Sequence, residues 1–391
     1  MAGTIGSGAR KGGIFAELAA IRARLASRGV DAIDLSIGTP DLPPPAHVMA
    51  ALSEAALDPA NYRYAILDRR ELREAASDWY LRRFGIALDP GREVLSLLGS
   101  HDGLAHVAWA ILKPGDVALV PDPGYPIFAK GPELAGAEVY PMPLAPENAY
   151  LADFDSIPSG VANRARLMIL SYPGNPIGAC APDSFFREAV RFADRYGIAV
   201  LHDNAYSELA FDGRRPGSFL AAPGAKDVGI ELNSLSKTYG MSGCRVGFAF
   251  GCERILSRLA ELKSHIDYGI FPAVQIAAEA ALTGPQACVE LARGTYEARR
   301  DLFVNGLRAI GWAIEPPQAT MFCWARIPGG LGGSEAFAAA MAERAGVIVV
   351  PGTCFGARGE GYVRVALVQS EERIDRAIRR IAECGILGER A

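Results

Sequence analysis

Lys237 stands in the stretch NSLSKTYGMSGCRVGF, residues 233 to 248, among small and hydroxyl residues and between two runs that read as strands. Burial disfavours the charged form of an amine, so a lysine placed here favours the neutral state. A neutral lysine amine condenses with aldehydes. Ser234 and Ser236 precede it and Arg245 follows eight residues later, a set that suits a dianionic phosphate through charge-assisted hydrogen bonds.

Other polar residues close apolar runs in the same way. EVLSLLG leads into Gly99-Ser100-His101-Asp102-Gly103 and a helix, whose first N–H groups and Ser100 hydroxyl would face an anion. Helix starts also favour Ser and Asp simply as caps, so this feature alone is weak. DVALVPD runs into Pro123-Gly124-Tyr125-Pro126, which sets an aromatic ring on a stiff turn, and RLMILSY runs into Pro173-Gly174-Asn175-Pro176, which presents one amide. IAVLH is followed by Asp203 and, three residues on, Tyr206. Asp203 would be desolvated at the end of such a strand, and a buried carboxylate needs a cationic partner. One cofactor uses all these parts: pyridoxal 5′-phosphate, whose aldehyde takes a lysine, whose ring nitrogen takes an aspartate, whose ring stacks on an aromatic and whose phosphate takes serines and an arginine.

These residues need a scaffold that brings strand ends together. From residue 70 onward apolar strands alternate with helices: ELREAASDWYLRRF, EVLSLLG, GLAHVAWAIL, DVALVPD, RLMILSY, DSFFREAVRFADRYG, IAVLHD, GIELNS and CRVGFAFG. That alternation predicts an α/β fold with a mostly parallel sheet covered by helices on both faces. Ligands of such sheets gather at the carboxyl ends of the strands. After about residue 285 a long helix, strand, helix, strand (YVRVAL) and last helix predict a smaller α+β domain. We divide the chain into an N-terminal segment, 1–45, that joins this small domain, a large α/β domain, 46–284, and the small domain, 285–391.

The 391 residues carry a net charge of −4 and no basic field for nucleic acid or anionic lipid. Seven cysteines form no CxxC pair, which argues against a zinc site or disulfide framework and for a reducing cytoplasm. The N-terminus lacks the apolar core of a signal peptide, and no run is long enough to span a membrane. Small-molecule chemistry is expected.

SLSKTYGMSGCRVGF, HDNAYSE, YPGNPIGA, PDPGYP, IDLSIGTPDLP and YVRVAL together resemble the signature blocks of class I/II aminotransferases, which are fold type I enzymes dependent on pyridoxal 5′-phosphate. They occur in family order along nearly the whole chain, and the lysine block is the most specific. DWYLRRFGIALDP, GSHDGLAH, GYPIFAKG, AYSELAFDG and KSHIDYGIF are similar to the LL-diaminopimelate-aminotransferase-like subgroup. The resemblance implies that Lys237 forms the covalent link to the cofactor, Asp203 pairs with the ring nitrogen, Tyr206 and Asn175 bond its phenolic oxygen, and Tyr125 stacks on the ring. It implies a phosphate site of Ser100, Ser234, Ser236, Arg245 and the amides near His101. Arg364 and Gly38 would receive the substrate α-carboxylate.

It further implies a homodimer in which Tyr64, or Tyr62 in a shifted register, reaches the partner's phosphate. The expected reaction is amino transfer between an L-amino acid and a 2-oxo acid in two half-reactions. The same lysine, aspartate and phosphate cup also serve lyases, β- or γ-replacement enzymes and cyclases. The segment from Tyr62 to Arg70, which lacks the family's usual glycine, keeps that alternative open, as do His101, Cys244 and Tyr268 where relatives carry other residues.

Overall fold

The computed structural model describes residues 13–329 and 332–387. The chain starts with α1 (Gly13–Ser27), β1 (Ile33–Asp34), α2 (Ala46–Leu57), α3 (Arg70–Phe84), β2 (Val94–Leu97) and α4 (Ser100–Ile111). It continues through β3 (Val117–Asp122), α5 (Ile127–Leu134), β4 (Glu138–Pro143), α6 (Ser159–Ala162), β5 (Ala165–Ser171), α7 (Asp183–Tyr196) and β6 (Ala199–Asp203). Then come α8 (Ala225–Val228), β7 (Gly229–Ser234), α9 (Leu235–Thr238), β8 (Gly247–Gly251), α10 (Glu253–Ile266), α11 (Pro272–Thr283) and α12 (Ala287–Ala309). The last elements are β9 (Phe322–Arg326), α13 (Ser334–Ala340), β10 (Val347–Ile348), β11 (Val350–Pro351), β12 (Tyr362–Ala366) and α14 (Glu371–Glu383).

Two compact units result. The larger, Thr39–Ala298 with Pro317–Phe322, holds a seven-stranded sheet in the order β2-β8-β7-β6-β5-β3-β4. Pairs from β7 through β4 are parallel, while β8 runs antiparallel to both its neighbours. Successive strand residues point to opposite faces, so a strand buried on both faces is mainly apolar. Leu167, Ile169, Ala199 and Leu201 join one core with Leu104 and Val107 of α4 and Ile255 and Leu259 of α10. Met168, Leu170 and Val200 join the core on the other face with Leu72 and Ala76 of α3 and Phe185 and Phe186 of α7.

The smaller unit gathers the chain up to Gly38, Arg299–Pro316 and the chain from Cys323 on. It holds a three-stranded sheet, β11-β12-β9, and a parallel pair in which Ile33 faces Val347 and Asp34 faces Ile348. Ile374, Ala377, Ile378 and Ile381 of α14 fall at helical spacing and pack with Phe303, Leu307, Trp312 and Val365. Ser370 starts that helix with its hydroxyl accepting from the Arg373 N–H at 3.4 Å.

The segment between Tyr62 and Arg70 is tied down without the glycine. Asp68 accepts the Ser96 N–H at 3.1 Å and the Ser96 hydroxyl as well, and the Arg69 N–H donates to Gln275 Oε1 at 2.8 Å.

Candidate active site

Asp203 is the last residue of β6, paired in register with Ser171 of β5 and Leu232 of β7. It is 5 % exposed, and its Oδ1 has no hydrogen-bond partner among the described residues. Desolvation raises its pKa to about 6, against the opposing pull of His202, the Ala205 N–H and Lys237. Lys237 Nζ lies 5.9 Å from the centroid of the Tyr206 ring, which is itself buried and packs edge-on against Phe322 at 5.9 Å.

A one-turn helix presents the lysine. The Ser234 hydroxyl accepts the Ser236 N–H at 3.2 Å, which stops β7 and starts α9. Both serines are buried. On the neighbouring helix α4, Gly99 precedes Ser100 with φ +80°, and a Cβ there would lie 2.4 Å from Arg245 Nη2. The missing side chain therefore leaves room for the guanidinium at the start of α4. Arg245 holds φ +54° and donates to the Ser242 and Leu98 carbonyls at 3.1 and 3.3 Å. Its side chain remains exposed at a helix N-terminus, where backbone N–H groups and the helix dipole favour an anion.

His101 follows Ser100 in α4 and meets Tyr125 edge to face at 5.7 Å. Burial first, then the Arg245 guanidinium, lowers its pKa from the ordinary range. Asn175 is buried on the turn after β5, the strand hydrogen-bonded to β6. Tyr64 is 81 % exposed and contacts Tyr268 edge-on at 5.2 Å, and Tyr62 contacts Phe271 at 5.3 Å. Arg364 and Gly38 belong to the smaller unit. Arg364 is 5 % exposed on β12, donates to the Ser36 carbonyl at 2.6 Å and sits 4.8 Å from the centroid of the Phe355 ring.

Residues 30–381 match the family model for aminotransferase class I and II. The chain belongs to that family. It is 49 % identical over 369 residues to the LL-diaminopimelate aminotransferase of Moorella thermoacetica, covering 94 % of each chain. A protein of the same description from Dehalococcoides mccartyi is 46 % identical, with 94 % of this chain and 95 % of the relative covered. Among solved structures, substrate-bound BacF from Bacillus subtilis superposes with a TM-score of 0.92 at 38 % identity, over 97 % of this chain and 96 % of that one. A probable N-succinyldiaminopimelate aminotransferase from Thermus thermophilus gives 0.89 at 38 %, over 95 % and 99 %.

The protein is thus a class I/II, fold type I aminotransferase that acts with pyridoxal 5′-phosphate on amino and 2-oxo acids. The lyase, replacement and cyclase alternative is not favoured by these relatives. The residues present fit the cofactor: the Asp203 Oδ1 atom is buried and lacks a partner, as a proton-bearing ring nitrogen would require, and a Cβ at Gly99 would close the space beside Arg245.

Two groups escaped the sequence reading. Asp102, in the first turn of α4, accepts from Lys263 Nζ at 2.6 Å and lies 2.5 Å from His106 Nδ1, while Lys263 also reaches Asp267 at 2.9 Å. Lys263 thereby offsets a negative charge close to the anion-binding end of the helix. Glu231 of β7 is buried beside His202, its register partner on β6, a carboxylate and an imidazole inside mainly apolar strands. The acid in IEL and the histidine in AVLH were the available signals.

Proposed function

We propose that Lys237, Asp203 and Tyr206 form the reacting centre of this aminotransferase. The observation that carries this reading is the buried Asp203 carboxylate at the end of β6, with an open Oδ1 and the Lys237 amine near it. Bound pyridoxal 5′-phosphate supplies an aldehyde that condenses with amines and a ring that takes up the electron pair left at a substrate α-carbon. Asp203 holds the proton on the ring nitrogen. With the cofactor bound, Lys237 Nζ would be the base that takes the proton from the substrate α-carbon. Tyr206 and Asn175 would hold the phenolic oxygen, and Tyr125 would pack against the ring.

Ser100, Ser234, Ser236, Arg245 and the amides at His101 take the phosphate, and Arg364 beside Gly38 takes the α-carboxylate with the bidentate geometry that a lysine cannot offer. The amino donor is a diamino dicarboxylic acid of the LL-diaminopimelate type. Support comes from relatives of that name covering 94 % of the chain at 49 and 46 % identity. The test compares turnover of LL-diaminopimelate with that of a panel of monocarboxylic and aromatic L-amino acids, each with a 2-oxo acid acceptor. Faster turnover of an aromatic donor would overturn the substrate assignment.

A second copy of the chain completes the site. Tyr62, Tyr64, Tyr268 and Phe271 are exposed around one cavity, and Ile66 and Leu67, next along the chain, are exposed too, an apolar surface suited to a subunit interface from which Tyr64 reaches the partner's phosphate. The enzyme works in the cytoplasm, a reading supported by seven cysteines that are all unpaired. No helix among the described residues is long and apolar enough to cross a membrane.

A further inference from the structure

Glu231 and His202 are 0 % exposed, and both point to the face of the sheet opposite Asp203. Glu231 collects donors from four elements. Its Oε1 accepts from the Tyr80 hydroxyl of α3 at 2.8 Å and from Asn204 Nδ2 at 2.9 Å. Its Oε2 accepts from the Ser218 hydroxyl and the Phe219 N–H, each at 2.9 Å, and lies 2.9 Å from His202 Nδ1. The other ring nitrogen, Nε2, is 3.0 Å from the Tyr172 carbonyl oxygen. A carbonyl can only accept, and so can an ionised carboxylate. Asn204 Nδ2 and the Phe219 N–H are obligate donors that occupy both oxygens of Glu231. His202 therefore has an acceptor at each ring nitrogen, and the arrangement is fully satisfied when the ring bears both protons.

The two residues flanking Asp203, His202 and Asn204, both end on this one carboxylate. The same imidazole ties down Tyr172, three residues before Asn175. We propose that Glu231 and His202 form a buried ion pair behind the sheet that holds Asp203 in place and keeps it ionised, so that both are positioning residues for the ring nitrogen of the cofactor. The positive charge of His202 opposes the desolvation that raises the Asp203 pKa, second in size only to that desolvation. Burial works against the Glu231 charge too, but the hydrogen bond and charge of His202, followed by Asn204 and Tyr80, leave its pKa below the ordinary value. The charged or titratable groups that act on this pair are Asp203 on β6 and Tyr80 on α3, while Phe186 of α7 and Phe219 cover the imidazole with their rings.

The inference rests on Asp203 facing the ring nitrogen, and the test separates the two. Affinities of the full-length apoenzyme for pyridoxal 5′-phosphate and for its 1-deaza analogue, which has no ring nitrogen to protonate, are measured in wild type, His202→Gln and Glu231→Gln. A wild type with no preference between them would remove Asp203 from its role. With the wild-type preference established, the inference expects it to fall about five- to tenfold in His202→Gln, the size of one pKa unit of lost charge stabilisation, with deaza affinity unchanged. An unchanged preference, or an equal loss for both ligands, would overturn it, the latter marking a merely structural role. Nitrogen-15 NMR of the wild-type apoenzyme covers the case of variants that do not fold. Both His202 ring nitrogens should carry a proton, as the acceptors facing them require; a singly protonated ring contradicts the ion pair.

Discussion

At the scale of single residues, Asp203 is held at a cost that can be measured without any ligand. Its folded pKa of about 6 lies above the ordinary value of 3.8, so the folded state binds more protons between those limits and stability falls as pH rises through them. Above that window the full penalty, about 3 kcal/mol from the size of the shift, is present. Asp203→Asn removes it. Denaturant unfolding of the apoprotein should show the variant gaining on wild type between about pH 4 and 6 and keeping that margin at pH 7, whereas a pH-independent difference would contradict the assignment. Lys237→Ala should still bind pyridoxal 5′-phosphate noncovalently yet lose turnover by at least about a thousandfold. Near-normal turnover there would remove the lysine from the centre. Arg364→Lys should raise KM for the amino acid about tenfold or more, because a point charge cannot make two parallel bonds; an unchanged KM would free Arg364 from its role.

Elements place these residues, and glycine decides one junction. Gly99→Ala would demand a left-handed backbone from alanine and push a methyl into Arg245, so affinity for pyridoxal 5′-phosphate should fall about tenfold. Affinity for pyridoxal without its phosphate should hardly move, and an equal loss for both would show that the junction serves the fold alone. Much of the element order was legible because β5, β6 and β7 are mainly apolar runs and helices such as α7 carry clear periodicity. β4 was not. Its six residues include Pro141 and Pro143, which read against a strand, and the structure tolerates them because β4 lies at the sheet edge beside β3. The reversed direction of β8 was equally hidden, since side-chain alternation is the same in either direction. The residues proposed for the reacting centre were visible as polar groups ending apolar runs. Glu231 and His202 were not singled out, because an isolated polar residue inside a strand gives no sign of which residue stands beside it on the next strand.

For the whole molecule, the exposed surface around Tyr64 and Leu67 predicts association. Sedimentation should give a dimer at assay concentrations, and Leu67→Glu, with its charge placed on the apolar surface, should shift the enzyme toward monomer and lower turnover together. A fully active wild-type monomer would contradict the shared site.

The most direct test of the amino-transfer chemistry proposed for this site is a single half-reaction. Purified holoenzyme is mixed with LL-diaminopimelate, without any 2-oxo acid, while the visible spectrum and released oxo acid are followed together. The account predicts that the cofactor's colour bleaches to a stable pyridoxamine form with one equivalent of oxo acid per active site. Continued product formation with the colour retained would contradict it and mean elimination, replacement or ring closure at the same residues.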